Sequence, residues 1–204
     1  MIKHNAKVLY HSSIKIDDIF IDPYKIVGDY KAKYIFVTHA HYDHYSLDDV
    51  KKIVTDKTIF VAPSDVAADL RKHFKNEIVE MKPYQEAVIG NLKVQAFPSY
   101  NVGKNFHKKE YNWLGYLIEY KDIKYAILGD CDENEDNRKI KCDVLIIPIG
   151  GTFTMDGKEA AHLAKLINPK LTIPDHYNAI VGTKENEREF IEALDGELDY
   201  EIFL

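Results

Sequence analysis

Cysteine is scarce in this sequence: Cys131 and Cys142 are the only two among 204 residues, with ten residues between them. That excludes a disulfide scaffold and a Cys-rich zinc module, and it favours a reducing compartment. Long apolar runs are missing as well. The segment Met1 to Tyr10 is polar and basic, with no apolar stretch of a secretion signal, and no run approaches the ~20 residues of a membrane span. A cytoplasmic protein without a membrane partner is therefore expected. Positive charge is in deficit, with 27 Lys and Arg against 33 Asp and Glu and a formal net charge of −6. Such a balance sets up no field to collect nucleic acid or anionic lipid and disfavours a nucleic-acid partner. There is no Pro/Gly/Ser-rich linker, no repeat and no low-complexity stretch, and the length suits one domain spanning residues 1–204. A phosphate-loop Lys-Ser/Thr is also lacking, which makes nucleotide binding a poor reading.

What is present is a chain able to build a core, with 46% hydrophobic residues, arranged as short β-rich runs and interspersed helices. Runs at Lys7 to Lys15, Ile19 to Asp22 and Tyr34 to Thr38 come first; the last is apolar up to Thr38, as in a strand buried on both faces. Ser46, followed by Asp48 and Asp49, opens a helix to about Val54. Thr58 to Ala62 is another buried strand, and Ser64 is expected to cap a helix ending near Phe74. Gly90-Asn91 and Lys121-Asp122 read as hairpin turns, between Glu86–Ile89 and Leu92–Pro98 and between Leu114–Tyr120 and Ile123–Leu128. The last third alternates: strand Val144 to Pro148, helix Asp156 to Asn168 with a capping box to Glu159, strand Leu171 to Pro174, helix Thr183 to Leu194, strand Tyr200 to Phe203. Many strands with helices between them predict sheets covered by helices, a layered α/β sandwich. Periodicity does not choose between a four-layer sandwich and an open sheet.

The chemistry lies directly after the strand ending at Thr38, in Thr38-His39-Ala40-His41-Tyr42-Asp43-His44. His39 and His41, two apart, point the same way in an extended turn, and Asp43 and His44 can address an adjacent point. Imidazole with carboxylate suits zinc, iron or manganese. A single histidine here would be read as an ordinary polar loop residue; three with a carboxylate at this spacing are read as a metal site. Two other strand ends add donors. Leu128-Gly129-Asp130 supplies a carboxylate, whose two oxygens can bridge two cations, and Ile173-Pro174-Asp175-His176 supplies a terminal imidazole.

Together, His39-x-His41-x-Asp43-His44, the Gly129-Asp130 turn and the late His176 resemble the metallo-β-lactamase superfamily. The chain is similar to that superfamily's compact metal-dependent hydrolases. His11-Ser12-Ser13, Asp22-Pro23, Ser99-Tyr100-Asn101 and Gly150-Gly151-Thr152-Phe153-Thr154-Met155-Asp156 match further landmarks of that group. The resemblance implies a four-layer αβ/βα sandwich with two divalent metal ions, zinc first and manganese or iron as alternatives, at the lip between two sheets. It assigns His39 and His41 to the first metal and Asp43, His44 and His176 to the second, with Asp130 joining them. Asp22 and His11 would stand around these ligands, Asp22 orienting the histidine loop.

One departure from the pattern matters. The superfamily's third histidine for the first metal normally follows the strand that here ends at Phe97-Pro98-Ser99, where this chain has Tyr100-Asn101. Asn101 is a candidate weak oxygen ligand, and His107, in a basic loop, is a candidate ligand or substrate contact. Tyr100 is a candidate to stabilise a developing oxyanion, with packing as the plainer alternative. Lys104, Lys108 and Lys109 read as solvated, Trp113 as packing behind the hairpin, and Cys131 as inert. Gly150 and Gly151 have backbone N–H groups that could face an anion. The expected activity is hydrolysis of an ester, lactone, amide or phosphodiester bond in a small-molecule substrate by metal-activated water, with Asp43 also moving a proton. The missing third histidine leaves open a rival, a metal-binding or redox-sensing protein that keeps the fold without hydrolysis. Oligomeric state is not legible.

Overall fold

Residues 2–204 are described by the structure, a computed structural model. Its apolar runs become two six-stranded sheets. The first follows chain order: β1 (Ala6–Tyr10), β2 (Ser13–Ile16), β3 (Ile19–Ile21), β4 (Tyr34–Phe36), β5 (Ile59–Ala62) and β6 (Ile78–Glu80). In the second, β7 (Glu86–Ile89), β8 (Leu92–Pro98), β9 (Leu114–Tyr120), β10 (Ile123–Ile127), β11 (Val144–Pro148) and β12 (Leu171–Asp175) also lie in sequential order. Each sheet is antiparallel at one side and parallel at the other, from β3 to β6 and from β10 to β12. Four helices complete the fold: α1 (Leu47–Ile53), α2 (Ser64–His73), α3 (Gly157–Ile167) and α4 (Lys184–Leu194).

Period-two alternation explains the layers, because both faces of the central strands are apolar. Ile19, Ile21, Tyr34 and Phe36 point into a core shared with Tyr125, Ile127, Val144 and Ile146 of the other sheet. Their neighbours Phe20, Ile35 and Val37 face outward and are covered by Val50 and Ile53 of α1 and Val66 and Leu70 of α2. On the far side, Ala126, Leu145 and Ile147 pack under Ala160, Leu163 and Ala164 of α3 and Phe190 of α4. The order is helix, sheet, sheet, helix: the four-layer αβ/βα sandwich.

Four local expectations are corrected. The run from Lys7 to Lys15 is two strands, because His11 takes φ 53° and turns the chain back on itself. The strand β6 was missed; it is three residues long and only half-buried, too short for a pattern to emerge. The cap of α2 is Pro63, while the Ser64 hydroxyl donates to Glu80 at 2.7 Å. The segment from Tyr200 makes only one bridge, to Thr172, rather than a strand. The capping box of Asp156 and Glu159 on α3 and the Gly90-Asn91 turn lie where the sequence predicts them.

This topology puts one end of the parallel strands of both sheets at a common edge. After β3 comes Asp22, after β4 the histidine motif, just beyond β10 Asp130, and at the end of β12 His176. The sheets are tied there by the Tyr116 hydroxyl donating to the Val37 carbonyl at 2.7 Å, and by His176 N–H donating to the His11 carbonyl at 3.2 Å.

Candidate metal centre

Each side chain at this edge is aimed by a backbone that leaves the strand sharply. His11 sits in the β1–β2 turn and His176 directly after β12, both with left-handed backbone, φ 53° and 58°. Gly129 (φ 64°) makes the turn that presents Asp130, and a side chain there would crowd Ser99, Thr38 and the Leu114 carbonyl. Around His44 the chain folds back, with the N–H groups of His44 and Tyr45 both donating to the His41 carbonyl. Gly150 is needed for room: a Cβ on it would lie 2.3 Å from the His176 carbonyl oxygen. Gly151 N–H donates to the Met155 carbonyl, so it is engaged within its own loop rather than facing an anion.

The result is two groups of four donors: His11, Asp43, His44 and His176 in one, and His39, His41, His107 and Asp130 in the other, with the ligating atoms of each within 4.8 Å of one another. Asp130 lies between the groups. One of its oxygens is 3.2 Å from His44 Nε2; the other is 3.0 Å from His176 Nε2 and 3.2 Å from His107 Nε2. His41 Nδ1 stands 3.1 Å from His39 Nε2 and 3.3 Å from His107 Nε2. Such spacings match the edge of a tetrahedron with Zn–N bonds of about 2.0–2.1 Å, where bare ring nitrogens would repel one another unless a proton or cation lay between them.

Several of these atoms are buried without a hydrogen-bond partner: His11 Nδ1, His44 Nε2, Asp130 Oδ1 and both ring nitrogens of His176. Polar atoms are not normally left so; a coordinated cation would satisfy them. Burial lowers the pKa of His39 well below that of free histidine, lowers His41, and pushes His11 down to about 4. Those rings are neutral at pH 7 and offer lone pairs. Burial opposes charge on Asp130 too, but His176 and His44 outweigh it and hold the carboxyl well below the usual range. The donor set fits divalent cations.

Further contacts orient these donors. Asp22 is fully enclosed; it accepts from Thr38 N–H at 2.7 Å, from the Thr38 hydroxyl at 2.6 Å, and from His44 Nδ1 at 2.8 Å. The Thr38 hydroxyl, donating to Asp22, is left to accept from His39 Nδ1 at 2.9 Å. One carboxylate thus turns the Nε2 atoms of both His39 and His44 toward the cluster. On the other side, His11 Nε2 lies 3.2 Å from Asp43 Oδ2.

The gap in the sequence pattern is filled by His107. The residue is 1% exposed and its ring joins His39, His41 and Asp130, brought there by the loop after β8. Asn101 faces this ring rather than the cluster: its Oδ1 accepts from His107 N–H at 3.0 Å and from the ring Nδ1 at 2.9 Å, and its amide donates to the Phe153 carbonyl. Lys104 is only partly exposed. Its ammonium donates to Asp132 at 2.7 Å and to the Thr154 carbonyl at 2.6 Å, pinning the loop that carries His107. Tyr100 turns away, its hydroxyl donating to Asp136 at 3.0 Å, so it is not aimed at the metals. Trp113 was read as packing behind the hairpin; instead its ring lies 4.9 Å from that of His39 and 4.8 Å from that of His41, while its Nε1 donates to Asp65. Cys131 is enclosed and its thiol pushed up by burial, hence unreactive.

Known proteins match this arrangement along most of the chain. The profile of the beta-lactamase superfamily domain matches residues 19–177. A UPF0173 protein of Pyrococcus furiosus is 32% identical over 176 residues, 82% of this chain and 80% of the relative. A UPF0173 metal-dependent hydrolase of Nanoarchaeum equitans is 32% identical over 197 residues, 92% of this chain and 86% of the relative. A solved structure from Parabacteroides distasonis superposes with a TM-score of 0.83 at 24% identity, covering 97% of this chain and 91% of that one; at that identity the likeness speaks to fold alone. The chain therefore belongs to the metallo-β-lactamase superfamily, among its UPF0173 metal-dependent hydrolases.

Proposed function

We propose that the protein holds two divalent cations, zinc first with manganese or iron as alternatives, and hydrolyses an ester, lactone, amide or phosphodiester bond of a small molecule. The observation that carries this reading is the pair of four-donor groups meeting at Asp130, with buried donor atoms left unpartnered. His39, His41 and His107 would hold one cation and His11, Asp43, His44 and His176 the other, with Asp130 shared. Cations so held lower the pKa of water toward ~7 and polarise the scissile bond. The rest is work for the chain. Asp43 and His41 are the partly exposed members, so substrate approaches from their side. The interaction with His11 helps keep the Asp43 carboxyl ionised against the pull of burial, ready to take up a proton. Trp113 closes one wall against water beside His39 and His41. A non-hydrolytic metal-binding or redox-sensing role is the rival reading; His107 beside His39, His41 and Asp130 supports the hydrolytic one. A cytoplasmic setting accords with two unpaired cysteines, which stay reduced there.

The test is metal analysis of the purified protein, with a chromogenic ester and phosphodiester screen under zinc, manganese and iron. We expect two equivalents of metal, and turnover that disappears in His41→Ala and Asp130→Ala while the far-ultraviolet circular dichroism is kept. An Asp130→Ala protein that retains both equivalents and full turnover would refute the shared-carboxylate arrangement.

A further inference from the structure

Beside the cluster lies a cavity of about 480 Å³ with His41 on its wall, in the size range of small-molecule sites. Its sides are aromatic: Trp113, Tyr111 with its ring 4.8 Å from that of Trp113, and Phe106. Tyr111 and Phe106 are 46% and 44% exposed. Adjacent exposed aromatics around a concave site are a costly use of surface unless something covers them. Met81 adds to the apolar floor, and Lys82 stands at the rim.

The charges around this cavity are unequally committed. Asp65, in the same lining, pairs with no cation among the described residues, but both its oxygens are taken: they accept from Trp113 Nε1 at 2.9 Å and from Val66 N–H at 2.8 Å. Glu80, two residues before Lys82 and within its field, takes Arg71 at 2.9 Å and Ser64 at 2.7 Å. Lys82 forms no ion pair among the described residues and is the only cation lining the cavity. In the loop after β8, Lys104 and Lys109 are tied to Asp132 and to Glu135 and Asp136, and Lys108, which forms no ion pair among the described residues, does not line the cavity. An apolar wall with one unpaired cation at its rim is complementary to a molecule with an apolar body and an anionic end.

We infer that this groove is a binding site for an aryl or alkyl group ending in a carboxylate, with Lys82 selecting the charge. Resting on the hydrolase reading, this makes the substrate an amphipathic acid whose scissile bond lies by His41 and whose charged end lies by Lys82. The groove's preference for an anion is a binding property and can be measured without turnover.

Trp113 is the only tryptophan in the chain, so intrinsic fluorescence reads occupancy of this groove directly. The metal-loaded protein is titrated with 4-phenylbutyrate and with the uncharged 4-phenylbutanol at low salt. Both are expected to change the fluorescence saturably, the acid binding about fivefold more tightly, as befits an exposed ion pair, and losing that margin in 1 M salt. In Lys82→Ala the two probes should bind equally, and in Lys82→Glu the order should invert. Tyr111→Ala should weaken both probes alike. Equal binding of both by the wild type, or a preference surviving in Lys82→Ala because the carboxylate sits on the metals, overturns the assignment. Chromogenic esters are assayed in parallel. An intact Lys82-dependent preference with no turnover supports the groove and counts against the hydrolase reading; turnover without the preference does the reverse.

Discussion

Asn101 gives its amide oxygen to a single neighbour, twice: to the backbone and to the ring of His107. That double acceptance fixes which ring nitrogen carries the proton and turns Nε2 toward His41 and Asp130. Removal of such an orienting partner typically costs 10–100-fold in metal affinity. We expect Asn101→Ala to weaken the first cation by about that factor and to leave the second unchanged, in a calorimetric titration of metal-free protein. Asn101→Asp retains both acceptances and should recover most of the loss. Uniform weakening of both cations would mean that Asn101 acts on the fold rather than on His107. The sequence made His39, His41, His44, Asp130 and His176 legible because each stands at a strand end in a motif with fixed spacing. His107 was visible only as a candidate, since a ligand delivered by a loop has no periodicity to mark it. Nothing local marks Trp113 as a wall of the site either; His39 and His41 come to it from the loop after β4 and Asp65 from α2, far away in the chain.

At the level of elements, helices also hold the loops at the sheet edge. The first turn of α1 supplies Asp49, 5% exposed, which accepts from Lys25 N–H at 2.9 Å, Ile26 N–H at 3.0 Å and Lys52 at 2.6 Å. It thereby fastens the segment that follows Asp22. Burial alone would raise the Asp49 carboxyl, but its hydrogen bonds with Lys52, Ser46, Lys25 and Ile26 outweigh that and hold it below its ordinary value. A depressed carboxyl stabilises the fold above the unfolded-state pKa of about 3.9, and the contribution is lost as pH falls through the lower folded-state value. Asp49→Asn should cost about 1–3 kcal/mol at pH 7, read from urea unfolding, and the gap from wild type should narrow near pH 3. A gap constant across that range would show that packing, not charge, is what the residue contributes. Elements were the more readable scale. Strands buried on both faces and capped helices declared themselves, whereas β6 and the cap of α2 did not, because pairing and context decide them.

For the whole molecule, the cluster draws on both sheets, and no disulfide does the same work, as Cys131 and Cys142 are free. A ligand that binds only the folded state stabilises it by RT ln(1 + [L]/Kd), about 2.7 kcal/mol at 100 times Kd. For a chain of this size that corresponds to roughly 5–10 °C in melting temperature. Chelation should lower the melting temperature by about that amount, and zinc in excess should restore it, as followed by differential scanning calorimetry. A melting temperature indifferent to chelator would show that the sheets need no such fastening. The two ends of the ligand set have a consequence for biosynthesis. His11 comes before β2 and His176 only after β12, yet they share one group of donors. A nascent chain that has already displayed His11, His39, His41 and His44 can offer them to any passing cation, but without His107, Asp130 and His176 not in the finished geometry. On the two-cation reading the donor set is complete only once the second sheet has closed, and selection among cations would fall at that late step.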